Sequence, residues 1–351
     1  MPAARSFIRY LPLLALVAGP LAAQQPFTLD QLRRIVGVGG VEIAPDGRTV
    51  VVTVTRSNYD TDKNESELYA VEVATGTARQ LTVGRHTVAQ ARFSPDGKVL
   101  AFLTPDSTGL MQVWLLPMGG GETRRLTSHP TGVEHYSWRP DGRAIAYAAA
   151  DEAPKREGEA RHLTTFTVGA QDLFLRENIQ PQHIWLIDTD SATSRRLTSG
   201  PWSLEFVLPP GSPPSGLSWA PDGKQIAFVA AVAPETGKLD SVHIQVLDVA
   251  TGAIRSLTPA RRFENNPVFS PDGKSVAYWY PREGRGDLGW VNEVWIAPSG
   301  GGASRSLTRA LDRNLLGAQW MPDGKSLLVV GNDCTTVGAW VQPLQGPARR
   351  L

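Results

Sequence analysis

The residues able to do chemistry are few and do not assemble into a familiar catalytic pattern. A serine hydrolase of the α/β type needs a Gly-x-Ser-x-Gly elbow, with an acid and a histidine later in the chain. The nearest match, Gly216-Leu217-Ser218-Trp219-Ala220, lacks the second glycine and leads straight into a Pro-Asp-Gly turn, so it reads as structural. The six histidines (His86, His129, His135, His162, His183 and His243) are scattered, without His-Glu-x-x-His or other paired-ligand spacing. Asp60-x-Asp62-x-Asn64 begins like a calcium loop, but Glu65 stands where such a loop needs glycine, and the twelfth position carries no carboxylate. Cys334 is the one cysteine, which excludes an internal disulfide and a cysteine-built zinc site. Arg285-Gly286-Asp287, set among glycines, reads as coincidence, and no glycine-rich strand–helix unit offers a phosphate cradle. No catalytic residue, metal or cofactor is expected.

The elements that would position a binding site are much clearer, because the chain repeats. Pro-Asp-Gly followed by Lys or Arg occurs six times, at 45–47, 95–97, 140–142, 221–223, 271–273 and 322–324, at spacings of 50, 45, 81, 50 and 51 residues. Five of the six are followed by an apolar-led pair and a closing Arg-x-Leu-Thr. These run from Leu68-Tyr69 to Leu81-Thr82, Val113-Trp114 to Leu126-Thr127, Ile184-Trp185 to Leu197-Thr198, Ile244-Gln245 to Leu257-Thr258, and Val294-Trp295 to Leu307-Thr308. From the second residue of each pair to the closing leucine is twelve positions every time.

Each repeat reads as four strands. Proline pre-sets the second turn position, aspartate suits the third, and glycine takes the positive φ that closes the turn. Short apolar runs such as Val99-Leu100-Ala101-Phe102 and Ile226-Ala227-Phe228-Val229 follow, as buried strands do. The Tyr/Trp-centred strand comes next, and a glycine turn returns the chain as the Arg-x-Leu-Thr strand. Four antiparallel strands every ~45–50 residues mark a β-propeller blade. The expected fold is therefore all-β, a propeller with six four-stranded blades visible, complete as it stands or part of a seven- or eight-bladed ring. Seven of the ten tryptophans fall at two repeat positions (138, 219 and 320 before the turn; 114, 185, 295 and 340 in the third strand), which argues for core. Trp202, Trp279 and Trp290 lie outside them and are freer to serve function.

The 81-residue spacing holds one blade with an insertion, residues 151–181, between its second and third strands. A proline-rich stretch, residues 200–216, is expected to join that blade to the next. In an up-and-down blade these loops share one face with Ser57–Glu67 and Pro281–Asn292, while the turns occupy the other. Long loops on a rigid scaffold are where binding concentrates.

At the N-terminus, Arg5 and Arg9 precede an apolar run, Leu11–Ala18, and Leu21-Ala22-Ala23 supplies small residues, the grammar of a signal peptide cleaved near Ala23. That leaves 24–351 as the propeller, expected in the periplasm or secreted, with no membrane contact after cleavage. Lys+Arg 35 against Asp+Glu 34, a formal charge of +1, gives no handle on a phosphate backbone, so no nucleic-acid partner is expected. The final strand, Ala348-Arg349-Arg350-Leu351, matches Thr123-Arg124-Arg125-Leu126 and stops one residue before the threonine of the other units. This favours a fragment of a longer protein. A self-sufficient ring would instead pair a strand near Ile35–Val38 with the last blade.

The turn and Arg-x-Leu-Thr grammar resembles two groups of exported propellers. One is the N-terminal propeller of prolyl-oligopeptidase-family serine peptidases, in the dipeptidyl- and acylaminoacyl-peptidase branch; the other is the TolB-type periplasmic propeller. Phe27-Thr28-Leu29-Asp30-Gln31-Leu32, His183-Ile184-Trp185-Leu186 with Leu197-Thr198-Ser199-Gly200-Pro201-Trp202-Ser203, and Gly338-Ala339-Trp340-Val341-Gln342-Pro343-Leu344 are more similar to the peptidases. That resemblance implies a seven- or eight-bladed propeller gating short peptides for a C-terminal α/β-hydrolase domain, which this sequence does not include. The propeller is then inactive alone, with Glu157, Glu159, Arg161, Trp202 and Glu205 as candidate contacts to peptide or hydrolase. TolB-type proteins carry an α/β domain ahead of the propeller, for which residues 24–37 are too short. A stand-alone TolB-like binding scaffold is the alternative.

Overall fold

The computed structural model describes residues 28–162, 180–204, 216–231, 242–259, 264–282 and 291–351. The expected signal peptide, Glu205 and Trp290 lie outside the described residues. Six antiparallel sheets follow one another around a common axis as a six-bladed β-propeller, one per Pro-Asp-Gly repeat. Blade 1, from inner to outer strand, is Val36–Ile43, Thr49–Asn58, Lys63–Glu72 and Ala78–Gln80. Blade 3 is His135–Trp138, Ala144–Ala150, Gln182–Asp188 and Ser194–Arg196. No helix of the described residues is long and apolar enough to cross a membrane.

In blades 2 to 5 the second strand is buried on both faces, and its alternation serves two neighbours. In blade 2, Leu100 and Phe102 pack towards blade 1, while Ala101 and Leu103 pack towards blade 3. Period-two alternation thus makes one apolar core per blade interface, five in all, from blades 1–2 through 5–6. The repeat-locked tryptophans belong to these cores; Trp219, Trp320 and Trp340 are buried. Gly338 makes room for Trp340, since a Cβ there would lie 2.5 Å from the indole ring.

Both sequence motifs have a defined mechanical role. In all six turns the aspartate Oδ1 accepts the N–H two residues on, at 2.9–3.1 Å, and the glycine takes φ of 65–72°. Where a blade follows another, its turn glycine abuts the preceding blade's turn proline: a Cβ on Gly97 would sit 3.3 Å from Pro45, and one on Gly273 3.3 Å from Pro221. The threonine of Arg-x-Leu-Thr is buried in all five units. Its hydroxyl accepts the backbone N–H of the third strand: Leu68 to Thr82, Val113 to Thr127, Ile184 to Thr198 and Val294 to Thr308 at 2.9 Å, and Ile244 to Thr258 at 3.2 Å. The preceding leucine donates to the carbonyl of that same residue at 2.8–2.9 Å. The arginine reaches forward: Arg124 donates to the Thr189 carbonyl, Arg195 to Val249, Arg255 to Ser299 and Arg305 to Leu344, each in the next blade.

Two sequence expectations change. Residues 200–216 do not simply join blade 3 to blade 4, because Ser203–Leu204 already pairs with Ala230–Ala231 and Ser218–Trp219 pairs with Ile226–Ala227 of the same strand. The extra residues therefore interrupt the inner strand of blade 4; a two-residue strand between prolines leaves no alternation to read. The inner strands of blades 1, 2 and 5 also break there, five residues before the turn proline, at Gly40, Gln90 and Asn266, all with φ of 50–56°. Secondly, the strand containing Val36–Val38 is the inner strand of blade 1, paired to Val54–Arg56, so the pairing with the last blade named above for a self-sufficient ring is not made by it.

Two consequences are measurable. Thr198→Val keeps the shape of the side chain but strands the buried Ile184 N–H, and should cost about 1–3 kcal/mol in urea unfolding, with Thr198→Ser losing well under half of that. His135, buried on the inner strand of blade 3 with no hydrogen-bond partner for either ring nitrogen among the described residues, is held down to about 4 by burial. Unfolded histidine titrates near 6.5, so between those values the unfolded chain binds more protons. Stability should be full above about pH 6.5 and fall by about 3 kcal/mol towards pH 4. His129 and His183, also lowered chiefly by burial, act in the same direction. Unfolding midpoints of the wild type and His135→Met compared at pH 7.5 and 4.5 should show a smaller acid loss in the variant.

Candidate functional site

The loops between second and third strands meet the blade-to-blade crossings at one end of the molecule. Ser66 donates its N–H to His86, Thr104 its hydroxyl to Thr87, and Asn292 its N–H to Asn314 Oδ1. The insertion of blade 3 opens at this end. Its described part, through the short 3₁₀ helix Gly158–His162, is exposed and carries Glu157, Glu159 and Arg161 at the surface. Arg161 Nε donates to His162 Nε2 at 2.9 Å, and neither glutamate lines the cavity below.

The root of the insertion is held by charge and rings. The Asp151 N–H donates to the Pro181 carbonyl at 2.8 Å, and its carboxylate pairs with Arg196 at 2.8 Å and lies 3.8 Å from His183 Nε2. His183 is fully buried, with Nδ1 3.3 Å from the Thr198 hydroxyl and its ring edge-on to Trp202 at 5.0 Å. Trp202 in turn stacks on Phe228 at 5.5 Å, half-buried against the core between blades 3 and 4. Gly200, at φ 131°, lets the chain fold back there, since a Cβ would sit 3.0 Å from the Trp202 indole nitrogen. The structure thus brings Trp202 to the root of the insertion, while Glu157, Glu159 and Arg161 lie on its exposed described part.

A cavity of about 720 Å³ opens beside this root, between blades 2 and 3. His129, Tyr147 and Trp185 form its aromatic wall: His129 meets Trp185 edge-on at 4.9 Å, and Tyr147 lies nearly parallel to Trp185 at 6.3 Å. Arg196 sits over the Trp185 ring at 5.9 Å, and Asp151 and Glu152 add carboxylates. The lining thus sets an aromatic wall beside charged groups of both signs. No spacing signal pointed to it, because its residues come from four separate stretches and its tryptophan shares the core position of its sister blades. A second polar cluster on the same end buries Glu293 between Arg282 (2.6 Å) and Arg309 (3.3 Å), with Arg282 also paired to Asp312. These partners raise the Arg282 pKa. Among the described residues no serine hydroxyl hydrogen-bonds a histidine, and no group of three or more His, Cys, Asp or Glu side chains is arranged to hold a metal.

No family model matches the chain. Among curated proteins, dipeptidyl-peptidase 5 of Porphyromonas endodontalis is 28% identical over 268 residues, covering 72% of this chain and 38% of the relative. The peptidase YuxL of Bacillus subtilis is 26% identical over 251 residues, covering 72% and 30%. The chain therefore spans well under half the length of these relatives. Among solved structures, the acylaminoacyl peptidase of Pyrococcus horikoshii superposes with a TM-score of 0.67 at 15% identity, over 91% of this chain and 46% of that one. The β-propeller domain of the Trilobed protease from Pyrococcus furiosus, described as having an open velcro topology, gives 0.60 at 15% identity, over 91% and 83%. TolB from Acinetobacter baumannii gives 0.53 at 17% identity, over 90% and 62%. The chain is a β-propeller related in sequence to dipeptidyl-peptidase 5 and peptidase YuxL, with the fold found in the propellers of acylaminoacyl peptidase and TolB.

Proposed function

We propose that this chain is the substrate-gating propeller of an exported serine exopeptidase of the dipeptidyl- or acylaminoacyl-peptidase type, acting on short peptides and inactive by itself. The observation that carries the reading is the match to peptidases across most of this chain and under half of theirs. In this reading the loop-bearing end faces an α/β-hydrolase domain. The insertion at 151–181 narrows the approach, and the cavity walled by His129, Tyr147 and Trp185 receives part of the peptide. The exposed Glu157, Glu159 and Arg161 act by charge on the approaching peptide, while Trp202 acts by holding the root of the insertion in place. The signal-like residues 1–23 support export, with the mature protein in the periplasm or outside the cell.

The test is to sequence the source locus past the Leu351 codon and assay both products on dipeptidyl and N-acyl anilides. The longer product should hydrolyse them and residues 24–351 should not. A stop codon at that point, or hydrolysis by residues 24–351 alone, overturns the reading. In the longer product, Glu157→Gln with Glu159→Gln should lower kcat/KM for cationic peptides about two- to fivefold, leave neutral ones unchanged, and leave the melting temperature unmoved, as expected of screened surface charges.

A further inference from the structure

The cavity between blades 2 and 3 mixes residues that the repeat explains with residues that it does not. The pairing of Asp151 with Arg196 has counterparts in Asp106 with Arg125 and Asp333 with Arg350, each an aspartate at the end of a second strand held by the second arginine of an outer strand. A guanidinium over the third-strand tryptophan recurs as well. Arg85 lies 4.4 Å from the Trp114 ring and Arg309 5.6 Å from that of Trp295, as Arg196 lies 5.9 Å from that of Trp185. These contacts belong to the scaffold, and the charges of Asp151 and Arg196 offset one another. Two lining residues have no such counterpart. Two positions after the locking threonine stands His129, where the other units carry Gly84, Gly200, Ala260 and Ala310. Directly after the repeated aspartate stands Glu152, where blades 2 and 6 carry Ser107 and Cys334.

Both unrepeated residues present acceptors. The Thr131 hydroxyl gives its one hydrogen to the Ala150 carbonyl at 2.7 Å, so towards His129 Nδ1, 3.0 Å away, its oxygen can only accept. The ring proton therefore sits on Nδ1, the Thr131 N–H at 3.4 Å being the weaker contact there. Nε2 is left with its lone pair and has no partner among the described residues. Burial holds the His129 pKa down against the pull of Glu152 and Asp151, so the ring is uncharged at neutral pH. Glu152 is exposed and makes no hydrogen bond or ion pair among the described residues. The cation in the lining, Arg196, is committed to Asp151 and to the Thr198 carbonyl.

We propose that this cavity binds the lysine side chain of a peptide, with the ammonium between the Glu152 carboxylate and His129 Nε2 and the methylenes along Tyr147 and Trp185. An alkylammonium carries three donors and no acceptor, which answers two acceptors and one uncompensated negative charge. Its hydrocarbon stem lies on apolar surface while the charged head stays at the polar edge. An acidic side chain would meet Glu152 as a like charge and find Arg196 already paired. The proposal rests on the reading of this cavity as a peptide site, and says which part of the peptide enters it.

Calorimetric titration of the full chain tests it, with acetyl-Ala-Lys-Ala-amide and its norleucine and glutamate counterparts. Norleucine keeps the stem and removes the charge, so the comparison reads the ammonium alone. The lysine peptide should bind about fivefold tighter than the norleucine one, and the glutamate one more weakly than either. Glu152→Gln should abolish that preference with the melting temperature unmoved, whereas Glu122→Gln, exposed at the turn-bearing end, should leave it intact. His129→Phe, which keeps a ring but no lone pair, should narrow it. Norleucine binding as tightly as lysine, or a lysine preference that survives Glu152→Gln, overturns the proposal and leaves the peptide reading of the cavity standing. Binding by none of the three peptides overturns both. Binding of 1,5-diaminopentane as tight as that of the lysine peptide would make this a site for free amines, and overturns the assignment to a peptide.

Discussion

The structure depends on one buried hydroxyl in each of blades 1 to 5. The threonine that closes Arg-x-Leu-Thr sits where a short outer strand gives way to the crossing into the next blade, which is the weakest point of a four-stranded sheet with a two- or three-residue edge. Its oxygen takes the third-strand N–H that the edge strand is too short to satisfy. Its own hydrogen is passed on to the residue before that N–H in two blades, Glu67 and Gln112, and to Glu264 in blade 4, while in blade 3 the hydroxyl meets His183 Nδ1 at 3.3 Å. A buried donor left without a partner costs more than a hydrogen bond yields on balance, so this position constrains the sequence tightly. It also fixes where the chain leaves the blade, and hence where the arginine and leucine of the motif point.

That lock explains how function is distributed. The residue before the locked N–H lies at the loop-bearing end and is polar in all five units (Glu67, Gln112, His183, His243 and Glu293), which brings polar groups to that end. His183 is one of them, and through Asp151 and Arg196 it ties the inserted segment of blade 3 to the scaffold. Glu293 occupies the same position in blade 5 and holds two arginines. The opposite end has its aspartates committed to their own turns, with the turn glycines pressed against prolines. Loop length can vary at one end because the other is uniform.

Much of this was legible in the sequence, and the reason is period. The turn, the apolar second strand and the Arg-x-Leu-Thr ending recur at fixed offsets, so six blades and their strand order could be read without any partner being known. What each motif residue does could not. The threonine's partner is fourteen residues back, and the arginine's is 39 to 65 residues ahead, where only the folded ring brings them together. Ser203–Leu204 was hidden because two residues carry no periodicity, and the cavity because Asp151, His129, Tyr147 and Trp185 share no local pattern. Trp202, outside the repeat positions, has a packing role that no periodicity announced: its ring is stacked on Phe228.

The interruption of the inner strand of blade 4 shows why insertions fall where they do. In blades 1, 2 and 5 the ladder already breaks five residues before the turn proline, with Gly40, Gln90 and Asn266 in the left-handed region. A non-glycine residue there costs about 1–2 kcal/mol, so the bulge persists only because the cores on either side dictate the register. In blade 4 the extra residues of the sequence fall between Leu204 and Ser218, and the stubs on either side pair with the same second strand. Extra residues enter at a point where no ladder hydrogen bond remains to be lost, while the two flanking cores go on setting the register. A propeller of this repeat can therefore acquire new loops around its axis without re-evolving its blades.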